Sequence, residues 1–270
     1  MAAGYDRGQK GRGAYAVEAE GLSFAYGSLA VLRGVSFGIR RGKVTTLLGA
    51  NACGKTTLLR LLCRDLLPAS GRVLLDGGDI RHIRRRELAR RAAIVHQKNS
   101  APDDLTVKRL AAYGRLPHQS LFRGRTAEDE RKIEWAMERA GVLDLAETPI
   151  GTLSGGQRQR AFIAMALAQD TDILFLDEPT TFLDVRYQIE ILRLIRELNE
   201  AHGITVVMVL HDINQAAMYS DEVLGLLDGG LLVSGPPSEA ISAESIDRLY
   251  GIRLDVREDR ESGRKWVLPV

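Results

Sequence analysis

Apolar positions fall in two rhythms along the chain. Short runs that are apolar or β-branched almost throughout occur at residues 43–48 (KVTTLL), Ile173–Leu176 (ILFL) and 205–210 (TVVMVL). Strands covered on both faces read this way. Residues 73–75 and 93–95 are shorter strand candidates. Segments 55–64, 185–201 and Ile213–Tyr219 instead repeat apolar residues at helical spacing,. Each follows a strand candidate after a polar or glycine-rich turn. Strands alternating with helices predict a parallel α/β sheet.

Three stretches break that rhythm. Residues 106–151 carry no strand pattern and predict helices at 106–113 and 127–140, the second capped by Thr126 with Glu128 and Asp129 in its first turn,. Residues 15–39 predict short antiparallel strands with glycine turns. The tail after Pro236-Pro237 predicts short helices at 238–241 and Ala243–Tyr250, then a hairpin of 253–257 with 265–268 turning at Ser262-Gly263,. The division that follows is a disordered tail at 1–13, a core at 14–97 and 153–233, a helical subdomain at 98–152 and a C-terminal extension at 234–270. The fold class is α/β: a phosphate-loop (P-loop) NTPase core with a mostly parallel sheet, an antiparallel β front subdomain and an inserted α-helical subdomain.

Composition narrows the function classes. The 270 residues include 37 Lys+Arg against 35 Asp+Glu, and a net charge of +2 gives no reason to expect a nucleic-acid partner,. The densest basic run, residues 81–91 (RHIRRRELARR), lacks the interleaved aromatics of a single-strand binder,. It reads as a solvated helix face or as support near a membrane partner. No apolar run is long enough to span a bilayer, and the N-terminus lacks the apolar centre of a secretory signal. Two cysteines, Cys53 and Cys63, fit a reduced cytosolic chain and have no metal-ligand spacing,.

The chemistry concentrates in a few segments. Gly49-Ala50-Asn51-Ala52-Cys53-Gly54-Lys55-Thr56 fits G-x-x-x-x-G-K-[ST], placed after a strand and opening a helix,. Phosphates need many donors at close range, so backbone N–H groups must line such a loop. Lys55 supplies a mobile charge, expected to point at phosphate rather than core, and the Thr56 hydroxyl can ligate Mg²⁺. Thr57 completes the candidate contacts. Asp177 and Glu178 end an apolar strand where such folds place ligands. Asp177 is positioned to hold Mg²⁺ through water, and Glu178 to act on a water attacking a γ-phosphate. Ser154-Gly155-Gly156-Gln157 opens a long helix, with Ser154 as N-cap and glycines that leave backbone donors open,. That second anion site either serves this chain or completes another copy's site.

Together, Tyr26, GANACGKT, Gln97, LSGGQRQR, ILFLDE, Thr181-Phe182-Leu183-Asp184 and His211 resemble the ATP-binding subunit of an ABC transporter, in order and spacing, over residues 17–233. The resemblance implies that Tyr26 stacks on adenine, that Gln97 joins Mg²⁺ and the attacking water, and that His211 contacts the γ-phosphate. It also implies that Ser154–Gln157 close on ATP held by a second copy, with Asp184 in a loop crossing that interface. ATP and Mg²⁺ are the implied cofactors. A homodimer, an integral membrane permease dimer and, indirectly, a substrate-binding protein are the implied partners, at the cytoplasmic face of the membrane. Segments such as GRLPHQSLFRG, VLHDINQAAMYSD and GPPSEA narrow the resemblance to importers of ferric siderophores, haem and vitamin B12, the siderophore group first. Ala50, Ala52, His96 and Leu116 depart from the family pattern without removing a catalytic group. The rival expectations are another importer branch, a soluble ABC ATPase acting on DNA or protein assemblies, and a non-catalytic regulatory binder.

Overall fold

A computed structural model describes residues 13–119, 124–259 and 263–269. Residues 1–12 of the tail assigned to 1–13, part of the GRLPHQSLFRG segment and the Ser262 side of the C-terminal turn lie outside the described residues.

The central sheet has six strands in the order β10-β9-β3-β8-β7-β6. They are β3 (Val44–Leu48), β6 (Ala92–Val95), β7 (Ile173–Leu176), β8 (Thr205–Val209), β9 (Glu222–Leu227) and β10 (Gly230–Gly235). All pair in parallel except β10, which turns back on β9. Every residue of β3, β7 and β8 is buried, as their uninterrupted apolar runs require,. Successive side chains point to opposite faces, so each strand feeds two cores. Leu47, Phe175, Val207 and Val209 pack on one side, against α1 (Lys55–Leu62) and a front sheet. Leu48, Leu174, Leu176, Val206 and Met208 pack on the other, against helices. Truncating Phe175, fully buried in the first core, to alanine would cost about 3–5 kcal/mol.

The front sheet has the order β2-β1-β4-β5. Its first two strands differ from expectation: β1 (Tyr15–Tyr26) and β2 (Leu29–Arg40) each run 12 residues rather than breaking into short pieces. Gly21 (φ 59°) and Gly34 (φ 66°) do not end strands but form irregularities in the ladder,. The amide of each is recovered by a serine, Gly21 N donating to Ser36 Oγ (2.8 Å) and Gly34 N to Ser23 Oγ (2.9 Å). Strand β4 (Ser70–Leu75) starts three residues before the predicted 73, since Ser23 pairs with Ser70. A two-residue strand β5 (Gly78–Asp79) completes the sheet.

The strandless stretch is helical, as its pattern predicts. Helix α2 (Arg85–Arg91) precedes it, and α3 (Val107–Tyr113) and α4 (Ala127–Arg139) pack on α5 (Gly155–Ala168). Thr126 and Asp129 form a reciprocal capping box that fixes the start of α4,. One buried ion pair ties the group together. Arg115 Nε donates to Asp129 Oδ1 at 2.8 Å, and the same guanidinium donates to Ala168 O at the end of α5. Helices α6 (Val185–His202) and α7 (Ile213–Tyr219) cover the sheet behind it. The extension consists of α8 (Pro237–Ala240), α9 (Ala243–Tyr250) and the hairpin β11 (Leu254–Glu258)–β12 (Lys265–Pro269).

Candidate functional site

Strand β3 ends at Leu48, and the chain then turns through residues 49–54 into α1. Two glycines make the turn possible. At Gly49 (φ 143°) a Cβ would collide with the Leu226 carbonyl of β9, and at Gly54 (φ 107°) it would lie 2.9 Å from Leu32 Cδ2. Ala52 also sits in the left-handed region, at φ 63°, where an alanine costs about 1–2 kcal/mol,. Lys55 is 5% exposed, and its Nζ donates to the Gly49 and Ala50 carbonyls, both at 2.8 Å. Lys55, expected to point at phosphate rather than core, lines a cleft but is folded back onto the loop. An ammonium needs acceptors, and the loop's own carbonyls supply them.

Opposite the loop, three parallel strands deliver polar residues to the carboxyl edge of the sheet, where α/β folds gather their ligands. Asp177 follows β7, is 3% exposed, and accepts a hydrogen bond from Thr56 Oγ1 at 3.0 Å. Burial pushes its carboxyl above the ordinary value, with the charge of Glu178 adding and the Thr56 hydroxyl opposing,. Glu178 has φ 51°, a strained conformation for a non-glycine residue,. Its Oε2 accepts from Gln97 Nε2 (2.5 Å), beyond β6, and from Thr181 Oγ1 (2.9 Å). Its Oε1 lies 2.7 Å from His211 Nε2, beyond β8. A cleft of about 270 Å³ joins this cluster to the loop, lined by Asn51, Lys55–Thr57, Glu178 and His211, with Tyr26 on its front-sheet wall. Tyr26 is 46% exposed, its ring edge-on to Phe24 at 4.9 Å. A larger cleft of about 510 Å³, beside α6 and the C-terminal hairpin, shares no residue with it and holds none of this chemistry.

The remaining predicted residues lie elsewhere. Ser154 caps α5, accepting from Gln157 N at 3.3 Å, while Gln157 Oε1 accepts from Ser154 N at 3.0 Å. Asp184 caps α6, accepting from Tyr187 N at 3.1 Å. None of Ser154, Gly155, Gly156, Gln157 and Asp184 lines the phosphate-loop cleft. Gly156 has a packing reason to be bare, because a Cβ there would lie 2.7 Å from the Tyr187 ring. At the entry to α6, Phe182 is 86% exposed at φ 66°, and Val185 is 70% exposed.

Cys53 faces the interior, 8% exposed in the front core. Burial pushes the Cys63 thiol to about 12. The basic run is not simply solvated. Arg86 and Arg90 both donate to Pro117 O, at 2.8 and 2.9 Å, bracing α2 against the segment after α3. Thr181, which the sequence offered only within a family segment, holds Glu178. Tyr250, which it did not offer at all, accepts a hydrogen bond from Gly49 N at 3.2 Å. No local signal could have found that pair, which is 201 residues apart.

A glycine-rich loop entering a helix, a buried aspartate on its threonine and a glutamate on the facing strand edge define a nucleotide-hydrolysing P-loop protein. The ABC transporter family profile matches residues 32–181. The chain is 45% identical over 251 residues to the ferric enterobactin transport ATP-binding protein FepC of Escherichia coli K12, covering 93% of each. It is 41% identical over 249 residues to the iron(3+)-hydroxamate import ATP-binding protein FhuC of Bacillus subtilis, covering 92% of this chain and 93% of that one. Among solved structures, one described as an inward-facing, metal-chelate type ABC transporter superposes with a TM-score of 0.82 at 27% identity, over 95% of this chain and 98% of that one. The chain belongs to the ABC transporter family and is one of its ATP-binding, ATP-hydrolysing subunits. No helix among the described residues is long and apolar enough to cross a membrane.

Proposed function

We propose that this chain hydrolyses ATP to drive import of a ferric siderophore through a separate membrane permease, from the cytoplasmic face. The observation that carries the catalytic part is the gathering of Gln97, Thr181 and His211 on Glu178, across the cleft from Lys55. Glu178 orients a water for in-line attack on the γ-phosphorus and takes its proton. The bond from that phosphorus to the bridging oxygen breaks, and ADP leaves. Lys55 leaves the loop carbonyls for the outer phosphate oxygens, and the loop's N–H groups spread the developing charge. Tyr26 stands where an adenine ring would stack. His211 and Gln97 turn from Glu178 toward the γ-phosphate.

Thr56 Oγ1 and Asp177 offer oxygen donors 3.0 Å apart, a hard-ligand pair suited to Mg²⁺ that keeps phosphate and water ligands,. Among the described residues no group of three His, Cys, Asp or Glu could hold a metal without the nucleotide. When bound, the ion neutralises charge on the β- and γ-phosphates. Thr56 and Asp177 would hold it, with Gln97 beside them.

The separation of Ser154–Gln157 and Asp184 from the cleft supports a second copy as the source of the missing half-site. Phe182 and Val185, exposed at the entry to α6, give that copy apolar surface to cover,. A permease dimer and, outside the cell, a substrate-binding protein complete the importer. The siderophore assignment rests on the names of FepC and FhuC.

Glu178→Gln tests the catalytic reading. It keeps the shape and one acceptor oxygen, replaces the other oxygen with an NH₂ donor and removes the base, so turnover should fall about 10²–10⁴-fold while ATP binding survives. Turnover within tenfold of wild type would give the role to another group. Deleting the gene tests the cargo: uptake of iron-loaded siderophores should stop under iron starvation. Normal siderophore uptake with loss of haem or cobalamin uptake would reassign it.

A further inference from the structure

The C-terminal extension reaches into the phosphate loop. Strand β9 lies beside β3 with Leu48 opposite Gly225. Gly225 has no side chain because Val233 and Leu249 occupy its space: a Cβ there would sit 2.5 Å from Val233 Cγ2 and 3.0 Å from Leu249 Cδ1. That close seat brings the end of α9 level with the last residue of β3. Tyr250, the final residue of α9, is the next one along, and its hydroxyl oxygen accepts the Gly49 N–H at 3.2 Å. Gly251 (φ 68°) then ends the helix in a left-handed turn, so the ring's position is fixed by the helix terminus,.

Gly49 is therefore held from three sides. The Leu226 carbonyl of β9 and Cys53 Sγ crowd the place where its side chain would be. Tyr250 takes its amide, and its own carbonyl accepts from Lys55. The peptide unit whose carbonyl holds the phosphate-sensing lysine thus belongs to the residue that the extension grips. Burial pushes the Tyr250 phenol to about 12, with the nearby Cys53 and Asp212 adding, so it is neutral throughout the physiological range,.

We propose that Tyr250 is a positioning residue for nucleotide binding: its hydroxyl fixes the entry of the phosphate loop, so the extension sets ATP affinity rather than the rate of the chemical step. The proposal rests on residues 49–56 being the ATP site. An amide left without its acceptor beside a buried ring lets the 48–50 turn rotate, and the loop N–H groups must then be ordered by the ligand at a cost in affinity.

The test uses the full chain with Tyr250→Phe, which removes one oxygen and keeps the ring that packs the extension. ATP affinity without turnover, steady-state kcat and KM, thermal unfolding and hydrogen exchange of peptides covering residues 47–54 are measured together. The expected result is a Kd and KM raised about three- to tenfold, kcat within twofold, and faster exchange in the loop of the nucleotide-free chain. A merely structural role would lower the unfolding temperature and the active fraction and leave KM alone, and that pattern overturns the proposal. Unchanged Kd overturns it too, whatever the exchange rate. Lys55→Ala runs beside it to separate the two claims. If Lys55→Ala binds ATP as wild type does, the phosphate-loop reading fails. If it loses ATP while Tyr250→Phe matches wild type, only the role of Tyr250 fails.

Discussion

Asp129→Asn should loosen the whole helical subdomain. The carboxylate accepts from Arg115 Nε (2.8 Å) on one oxygen, and from Thr126 N and Thr126 Oγ1 (both 2.9 Å) on the other. The side chains of Arg115 and Asp129 are 5% and 6% exposed, so water cannot replace a lost partner. Asparagine keeps the shape but removes the charge, and its NH₂ must face either the guanidinium or the two Thr126 donors. Breaking a buried pair on one side costs about 3–5 kcal/mol, against a total stability of about 5–15 kcal/mol. Equilibrium urea unfolding at pH 7 reads this directly, and hydrogen exchange should locate the loss in α3 and α4. Removing both charges, as Arg115→Met with Asp129→Leu, should recover more than half of it. The pH dependence has a definite sign. Burial works to raise the Asp129 pKa, but the Thr126 N–H, Arg115 and the Thr126 hydroxyl together hold it below the ordinary value. Its contribution is thus complete above the unfolded pKa of about 3.9 and disappears as pH falls through the folded one. The gap between wild type and mutant should be flat near neutrality and close in acid. A loss below about 1 kcal/mol at pH 7, the value of an exposed pair, would refute the reasoning.

Ala52→Gly should relieve the left-handed strain at φ 63° and raise the unfolding temperature by about 2–4 °C; a fall would mean that the loop gains more from the methyl than the backbone loses. Cys53 and Cys63 should both resist a maleimide at pH 7 until the chain is unfolded, since one thiol is 8% exposed and the other is raised by burial. Rapid labelling of Cys53 that Mg-ATP blocks would put that thiol on the open side of the loop. Gly156→Ala should impair hydrolysis through the clash with Tyr187. Adding Tyr187→Ala restores activity if packing alone demands the glycine, and activity that stays lost shows that the bare backbone also serves an anion.

Both kinds of glycine were visible in the sequence, and it could not tell them apart. Gly49 and Gly54 are required by the loop's own positive φ angles, a local demand that the spacing G-x-x-x-x-G-K-[ST] expresses,. Gly156 has helical neighbours and no such angle, and the ring that excludes its side chain comes from Tyr187, on another helix. The central strands were legible because burial on both faces removes polar positions, leaving β3, β7 and β8 as unbroken runs. The front sheet was misread in length, because a glycine that ends a strand and a glycine that bulges one look alike until Ser23 and Ser36 are seen across the ladder.

The site shows the same division between local and distant causes. Asp177 and Glu178 announce themselves because they end a strand, and Lys55 and Thr56 because they follow the loop. What those residues do at rest is set by contacts that the sequence does not announce: the loop carbonyls that draw in Lys55, and the meeting of Thr181, Gln97 and His211 on the two oxygens of Glu178. The role proposed for Glu178 therefore requires Gln97 and His211 to turn away from its carboxylate and leave room for the water. In the proposed mechanism the γ-phosphate offers Gln97 and His211 charged acceptor oxygens in place of the carboxylate they hold, so ATP both supplies the electrophile and frees Glu178 to face the water.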